Sequence, residues 1–139
     1  MSKTIIQEIL FKNTTPNTLY NLYMNANKHS DITGSPAVIT EKEGDSYSAH
    51  GGYITGKNLL LVKDKLIVQT WRAQGWEESD VDSIFMIKLE PQGEDVILHA
   101  IHANLPDNHA GHIDQGWHDH YWNPWKQYLA GETITLPKM

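Results

Sequence analysis

The segment HAGHIDQGWHDHYWNPW, residues 109–125, concentrates the side chains best able to do chemistry. It holds four of the chain's eight histidines, three of its five tryptophans and two aspartates. Imidazoles and carboxylates at this density could ligate a metal ion, pass protons, or coat a helix. Metal ligands on one helix face sit three or four residues apart. His118 and His120 are two apart, which places them about 200° apart around a helix, on opposite sides. His112 and His118 are six apart, also a poor match. His109 and His112 have the right separation, but Ala110, Gly111 and the preceding Asp107–Asn108 read as loop. His109, His112, Asp114, His118, Asp119 and His120 therefore read as a polar helix face and its leading loop. No metal and no cofactor is expected.

Other catalytic patterns are equally thin. Ser46, Ser48 and Ser83 lie in strand-like stretches, outside any G-x-S-x-G elbow. Glu77, Glu78, Asp80 and Asp82 crowd one loop rather than converging in a cleft, and read as a solvated acidic loop or a partner contact. Gly51, Gly52 and Gly56 lack the G-x-x-x-x-G-K-[ST] pattern of a phosphate cradle, and read as a tight turn followed by a strand irregularity. An enzyme is not the expected reading.

Composition narrows the partners. The 139 residues suit one domain spanning 1–139, and 40% hydrophobic content is enough for one core. The net charge of −6 argues against nucleic acid and anionic lipid, both of which need clustered Lys and Arg. Cysteine is absent, which leaves no disulfide and no zinc–thiolate site. The N-terminal MSKTIIQEILFK lacks the apolar run of a signal peptide, and the longest apolar run elsewhere is Leu59–Val62. A soluble, cytoplasmic chain is expected.

Stepping along the chain, TIIQEILFK at 4–12 alternates and predicts a strand. Thr15 then Pro16 start a helix expected to run to about Asn27, and a short second helical turn is expected near Ser30 to Thr33. From Ala37 to Ala103 the pattern is strand throughout: AVITEK, SYSAHGG, YITGKNLLLV, KLIVQTW, DSIFMIKLEP and DVILHAIHA, with AQGWEESD as a longer loop. Without intervening helices these should pair as antiparallel neighbours. Trp117, Tyr121, Trp125 and Tyr128 then recur at spacings of four, four and three, an aromatic stripe on a long C-terminal helix. Pro124 should kink it and Gly131 should end it. A curved antiparallel sheet wrapped around this helix is the α+β architecture that covers the sheet's core face.

HSDITGSPAVIT, GGYITGKNLLLV, KLIVQTWR and GWHDHYWNPWKQYL, in this order and spacing, resemble the heat-shock protein 90 ATPase activator family, specifically its C-terminal domain and stand-alone bacterial homologues. GYITG at Gly52–Gly56 and QTWR at Gln69–Arg72 are the most distinctive segments. The resemblance implies a helix-grip fold, like START domains, the birch-pollen allergen and polyketide cyclases. It places His102 on the inner sheet face with Val96, Leu98 and Ala100, and His99 on the other. Many such proteins hold hydrophobic small molecules between sheet and terminal helix. The expected pocket residues are Tyr53, Trp71, Phe85, His102, Trp117, Tyr121 and Trp125, with polar atoms of Tyr53, His102 and Tyr121 as orienting groups and His50 a further polar lining residue. The leading reading is a non-enzymatic binding module for a small hydrophobic ligand. The alternatives are a chaperone-interacting or stress-response protein, with exposed Trp76 or Trp122 offered to a partner, and a cyclase- or hydrolase-like enzyme using the same cavity. A separate N-terminal domain, present in the eukaryotic co-chaperone, is not expected here. Either a monomer or a homodimer fits.

Overall fold

The computed structural model describes residues 2–136. Strand β1 (Ser2–Phe11) is followed by helices α1 (Pro16–Met24) and α2 (Ala26–Thr33). Strands β2 (Ser46–Ala49), β3 (Ile54–Val62), β4 (Leu66–Ala73), β5 (Ser83–Gln92) and β6 (Asp95–Pro106) come next. The terminal helical rod is α3 (Ala110–Trp117), a wide π turn (His118–Trp122) and α4 (Asn123–Leu129). The sheet is antiparallel, in the order β1-β6-β5-β4-β3-β2, and the rod packs on its concave face. This is the helix-grip arrangement expected from the element order.

Alternation drives the sheet. Buried and exposed residues alternate from Thr4 through Phe11 in β1, and buried and half-buried ones through the first eight residues of β6. Ile5, Ile9, Phe11, Val96, Leu98 and Ala100 point into the core. The opposite face is also apolar in places. One cross-strand row, Leu60–Val68–Met86–Ile101–Ile6, runs over the convex side of five strands in direct register. Ile6 is 76% exposed.

Two local expectations are corrected. AVITEK is not a strand; Val38 makes a single bridge to Ser48. The carbonyls of Thr40 and Lys42, which a ladder would use, accept instead from the Asn58 side-chain amide at 2.8 and 3.1 Å. The segment is tied down by a side chain rather than paired. The helix expected to reach Asn27 also breaks earlier, at Asn25. Asn25 ends α1 in an extended conformation, and its Oδ1 caps α2 by accepting from the Lys28 N–H at 3.0 Å. What reads as a single turn near residue 30 is thus a capped helix closed by Gly34 at φ 75°.

Pro124 acts as expected on the terminal rod, but through an unexpected geometry. Proline has no N–H to give the carbonyl four residues back, and its ring crowds that carbonyl. The chain widens one residue earlier: the Asn123 N–H donates to the His118 carbonyl, five residues away. In an α-helix residues five apart lie about 140° apart in azimuth. In this wide turn Trp117 and Trp122 stack instead, ring centroids 5.6 Å apart and planes 16° apart. Trp122 is fully buried and offers no surface to a partner.

Gly56 marks where β3 and β4 press closest. A Cβ built there lies 2.0 Å from the Thr70 carbonyl oxygen and 2.7 Å from the Tyr47 ring, whose hydroxyl donates to that same carbonyl at 2.6 Å. Replacing Gly56 by Ala must spread the two strands. Overpacking of this kind costs about 1–3 kcal/mol, or more where backbone has to move. Urea unfolding of Gly56→Ala is expected to show a lowered midpoint with an unchanged slope.

Candidate ligand-binding cavity

The sheet and rod do not close completely. At one end lies a cavity of about 580 Å³, within the range of small-molecule sites. Trp71, Trp117, Ile54, Ala73 and Ile113 give it an apolar body, and Trp76 and Tyr53 stand on its wall. His50, His109, His112, His120 and Asp119 give it a polar side. Gly116 of α3 borders it too, with room for a side chain: a Cβ there would meet only the His120 ring, at 3.9 Å.

Trp76 owes its place to Arg72. The guanidinium donates to the Asp80 carbonyl and the Glu77 carbonyl, both at 2.7 Å, and lies 5.8 Å from the centre of the Trp76 ring. The acidic 73–82 loop is wound around this cation, which turns Trp76 inward to stack on His109. Trp76 is 8% exposed, not the surface aromatic expected from its polar neighbours, and its indole N–H has no partner among the described residues.

Behind the wall, two chains of polar side chains fix the aromatic rings. In the first, the Ser83 hydroxyl donates to the Trp71 carbonyl at 2.6 Å, so it accepts from His102 Nε2 at 2.8 Å. His102 Nδ1 then accepts from the Trp117 indole N–H at 3.0 Å. Every proton is assigned and His102 is neutral. Burial lowers its pKa from 6.5 to about 3. Ser83 and His102 are sealed from solvent, so this pair positions Trp117 and Trp71 rather than attacking a substrate.

In the second, the His29 Nδ1–H donates to the Tyr23 carbonyl at 2.9 Å. His29 Nε2 lies 2.8 Å from the Tyr121 hydroxyl, which lies 3.0 Å from His50 Nε2. Burial depresses His29 to about 4 against the opposing pull of the Tyr23 carbonyl. Burial, then the neighbouring His29 and His120, depress His50 to about 4. His120, 5.6 Å from His50 ring to ring, is also lowered, mainly by burial, with Asp119 opposing. Burial raises Tyr121, which stays a neutral phenol. A third tie comes from β1: Gln7 donates to the carbonyl and carboxylate of Asp114 and accepts from the Trp122 indole at 2.6 Å.

Of the residues expected to line a pocket, the cavity brings together Tyr53, Trp71, Trp117 and Tyr121. Phe85, His102 and Trp125 lie deeper: Phe85 stacks on Trp117 at 4.0 Å, and Trp125 packs edge-on to Trp122 at 5.2 Å. Tyr121 and His102 are committed within the protein, which leaves His50 the more available polar group. His29 was invisible in the sequence, hidden in what read as a helix break; the Asn25 cap was the only signal for it. Among the described residues no three His, Asp or Glu side chains converge as a metal site, and no helix is long and apolar enough to cross a membrane.

A curved antiparallel sheet gripping a kinked aromatic rod, with a cavity between them, defines a helix-grip domain. The family model described as Activator of Hsp90 ATPase homolog 1-like protein matches residues 13–130, and the chain belongs to this family. The Dictyostelium discoideum protein named Activator of 90 kDa heat shock protein ATPase homolog is 29% identical over 106 residues, which cover 74% of this chain and 27% of that protein. This chain spans about a third or less of the curated relatives it matches. Among solved structures, an Hsp90 activator from Plasmodium falciparum superposes with a TM-score of 0.81 at 22% identity, covering 97% of this chain and 99% of the other. The Aha1 dimer from Colwellia psychrerythraea gives 0.77 at 16% identity, covering 91% and 96%. At these identities the structural likeness speaks for the fold.

The buried neutral histidines make stability depend on pH. His29 and His102 are depressed in the folded state, so between their folded values and about 6.5 the unfolded chain binds protons that the folded chain refuses. Stability is therefore level above neutrality and falls as pH drops from about 6.5 towards 4, by about 1.4 kcal/mol per pH unit for each such histidine. His102→Leu is expected to reduce this slope by one proton in urea titrations from pH 4 to 7. The same variant should lose about 1–3 kcal/mol at pH 7, because the Trp117 N–H is left unpaired.

Proposed function

We propose that this protein is a non-enzymatic binding module that holds one small apolar or amphipathic molecule in the cavity between sheet and rod. The observation that carries this reading is the cavity itself, about 580 Å³, walled by three tryptophans, of which Trp117 is held by a buried hydrogen bond to His102. A wall held in place before binding loses little entropy on binding. The Ser83–His102 pair is sealed behind Trp71 and Trp117 and does not line the cavity, which supports binding over hydrolysis.

Gly116 provides the test. Gly116→Leu puts a side chain into the cavity from α3, where its Cβ meets only the His120 ring, and removes a helical glycine, which favours the helix by up to about 1 kcal/mol. The neutral fluorophore N-phenyl-1-naphthylamine is expected to bind wild type saturably at one site. Gly116→Leu is expected to abolish that signal while unfolding at an equal or higher temperature. A signal that Gly116→Leu leaves untouched would place the probe elsewhere and reject the reading.

A second reading is favoured by the apolar row on the convex face together with the names of the relatives: contact with an Hsp90-type chaperone through that row. Charged rows normally protect such a surface, and Ile6 and Leu60 are left exposed on it. Ile6→Lys combined with Met86→Lys is expected to weaken co-sedimentation with purified Hsp90 and to leave fluorophore binding unchanged. Equal retention of the variant would exclude this face.

A further inference from the structure

We infer that His50 Nδ1 is a built-in hydrogen-bond acceptor of the cavity, and that the site selects a neutral, flat molecule carrying a hydroxyl or N–H donor. The inference rests on the cavity being a ligand site and adds the chemistry of what it selects.

The direction of every proton in the second polar chain follows from its buried end. The Tyr23 carbonyl can only accept, so His29 Nδ1 carries a proton. A neutral His29 then has a bare Nε2, and that nitrogen takes the single proton of the Tyr121 hydroxyl. With its proton spent, Tyr121 Oη can only accept from His50 Nε2, which must carry a proton. A neutral His50 has its other nitrogen bare. The opposite polarity would require protons on both nitrogens of His29, an imidazolium beside His50 in a buried site, where burial and mutual repulsion disfavour it.

Among the described residues His50 Nδ1 has no hydrogen-bond partner and is not sealed from solvent, and His50 lines the cavity. The residue sits at φ 54°, the left-handed region that non-glycine residues adopt uncommonly, His, Asn and Asp more readily than the rest. A strained backbone that holds one ring nitrogen at a cavity wall is a common mark of a functional residue. A bare nitrogen repels other lone pairs, and the Asp119 carboxylate on the same wall adds to that. The tryptophan faces suit an aromatic or fused-ring body. The ligand class is thus a neutral amphiphile with an alcohol, phenol or N–H group, not a carboxylate or phosphate.

Two probes of nearly equal shape test this: 2-naphthol, which has the donor, and 2-methylnaphthalene, which lacks it. Each is titrated against N-phenyl-1-naphthylamine bound to wild type and to His50→Phe, a substitution that keeps a ring and removes both nitrogens. One hydrogen bond predicts that wild type prefers the naphthol by about three- to tenfold. In His50→Phe the preference for the naphthol should disappear, the two probes displacing equally. Equal displacement from wild type would overturn the donor selectivity and leave the cavity reading standing. Failure of both probes and of the fluorophore would remove the cavity reading and this inference with it. Independently of any variant, the ring-nitrogen resonances of His50 in ¹⁵N-labelled wild type should show Nδ1 bare and Nε2 protonated. The reverse pattern would overturn the assignment.

Discussion

The wide turn at His118–Trp122 is the constraint on which the rest of the core depends. Proline at 124 denies the rod a regular α-helical bond, and the Asn123–His118 bond replaces it. The result is one extra inward residue in this turn of the rod. Trp117, Tyr121, Trp122 and Trp125 all face the sheet, whereas an unbroken α-helix would turn Trp122 away. Phe85, Trp117 and Trp122 then form a continuous stack, and Phe11 and Trp125 close its far end. A regular helix would turn Trp122 off the stack and leave the space beneath Trp117 less fully filled.

So many large rings in one interface need more than dispersion to define their positions, because flat surfaces slide. Polar side chains provide the definition. Gln7 fixes Trp122 from β1, His102 fixes Trp117 from β6, and His29 with His50 fixes Tyr121 from α2 and the turn before β3. Tyr23, Gln69 and Asn58 extend the same principle across β4 and β3 to the 40–42 segment. His50 apart, these are buried polar groups paired with one another or with a ring, so they add specificity with little desolvation penalty. The cavity is bounded on one side by rings that cannot rotate and on the other by a loop wound around Arg72.

The fold was legible because its two periodicities are strong. Alternation in β1 and β6 and the spacing of Trp117, Tyr121 and Trp125 are enough to set a sheet against a helix. What escaped was decided by single side-chain bonds. AVITEK has strand composition, but Asn58 takes its carbonyls. Trp76 lies among polar residues, but Arg72 turns the loop inward. Trp122 falls off an α-helical stripe and returns to it only in a π turn. The site was half legible for the same reason. Aromatic residues announce themselves by type, whereas the availability of a histidine nitrogen depends on what its other nitrogen touches. His102 and His50 look alike in sequence; one is saturated by Ser83 and Trp117, and the other keeps a lone pair free.

The pairing of β1 with β6 joins residues about as far apart as the chain allows: Ile6 lies opposite Ile101, and Gln7 reaches the rod at Asp114 and Trp122. During synthesis β1 therefore leaves the ribosome long before β6, the strand it pairs with. Until then its two edges are unpaired and its apolar residues are uncovered, the condition in which nascent strands associate with the wrong neighbour. Closure of this long loop comes late and is slow relative to local helix formation. The molecule spends the early part of its life dependent on whatever shields that strand.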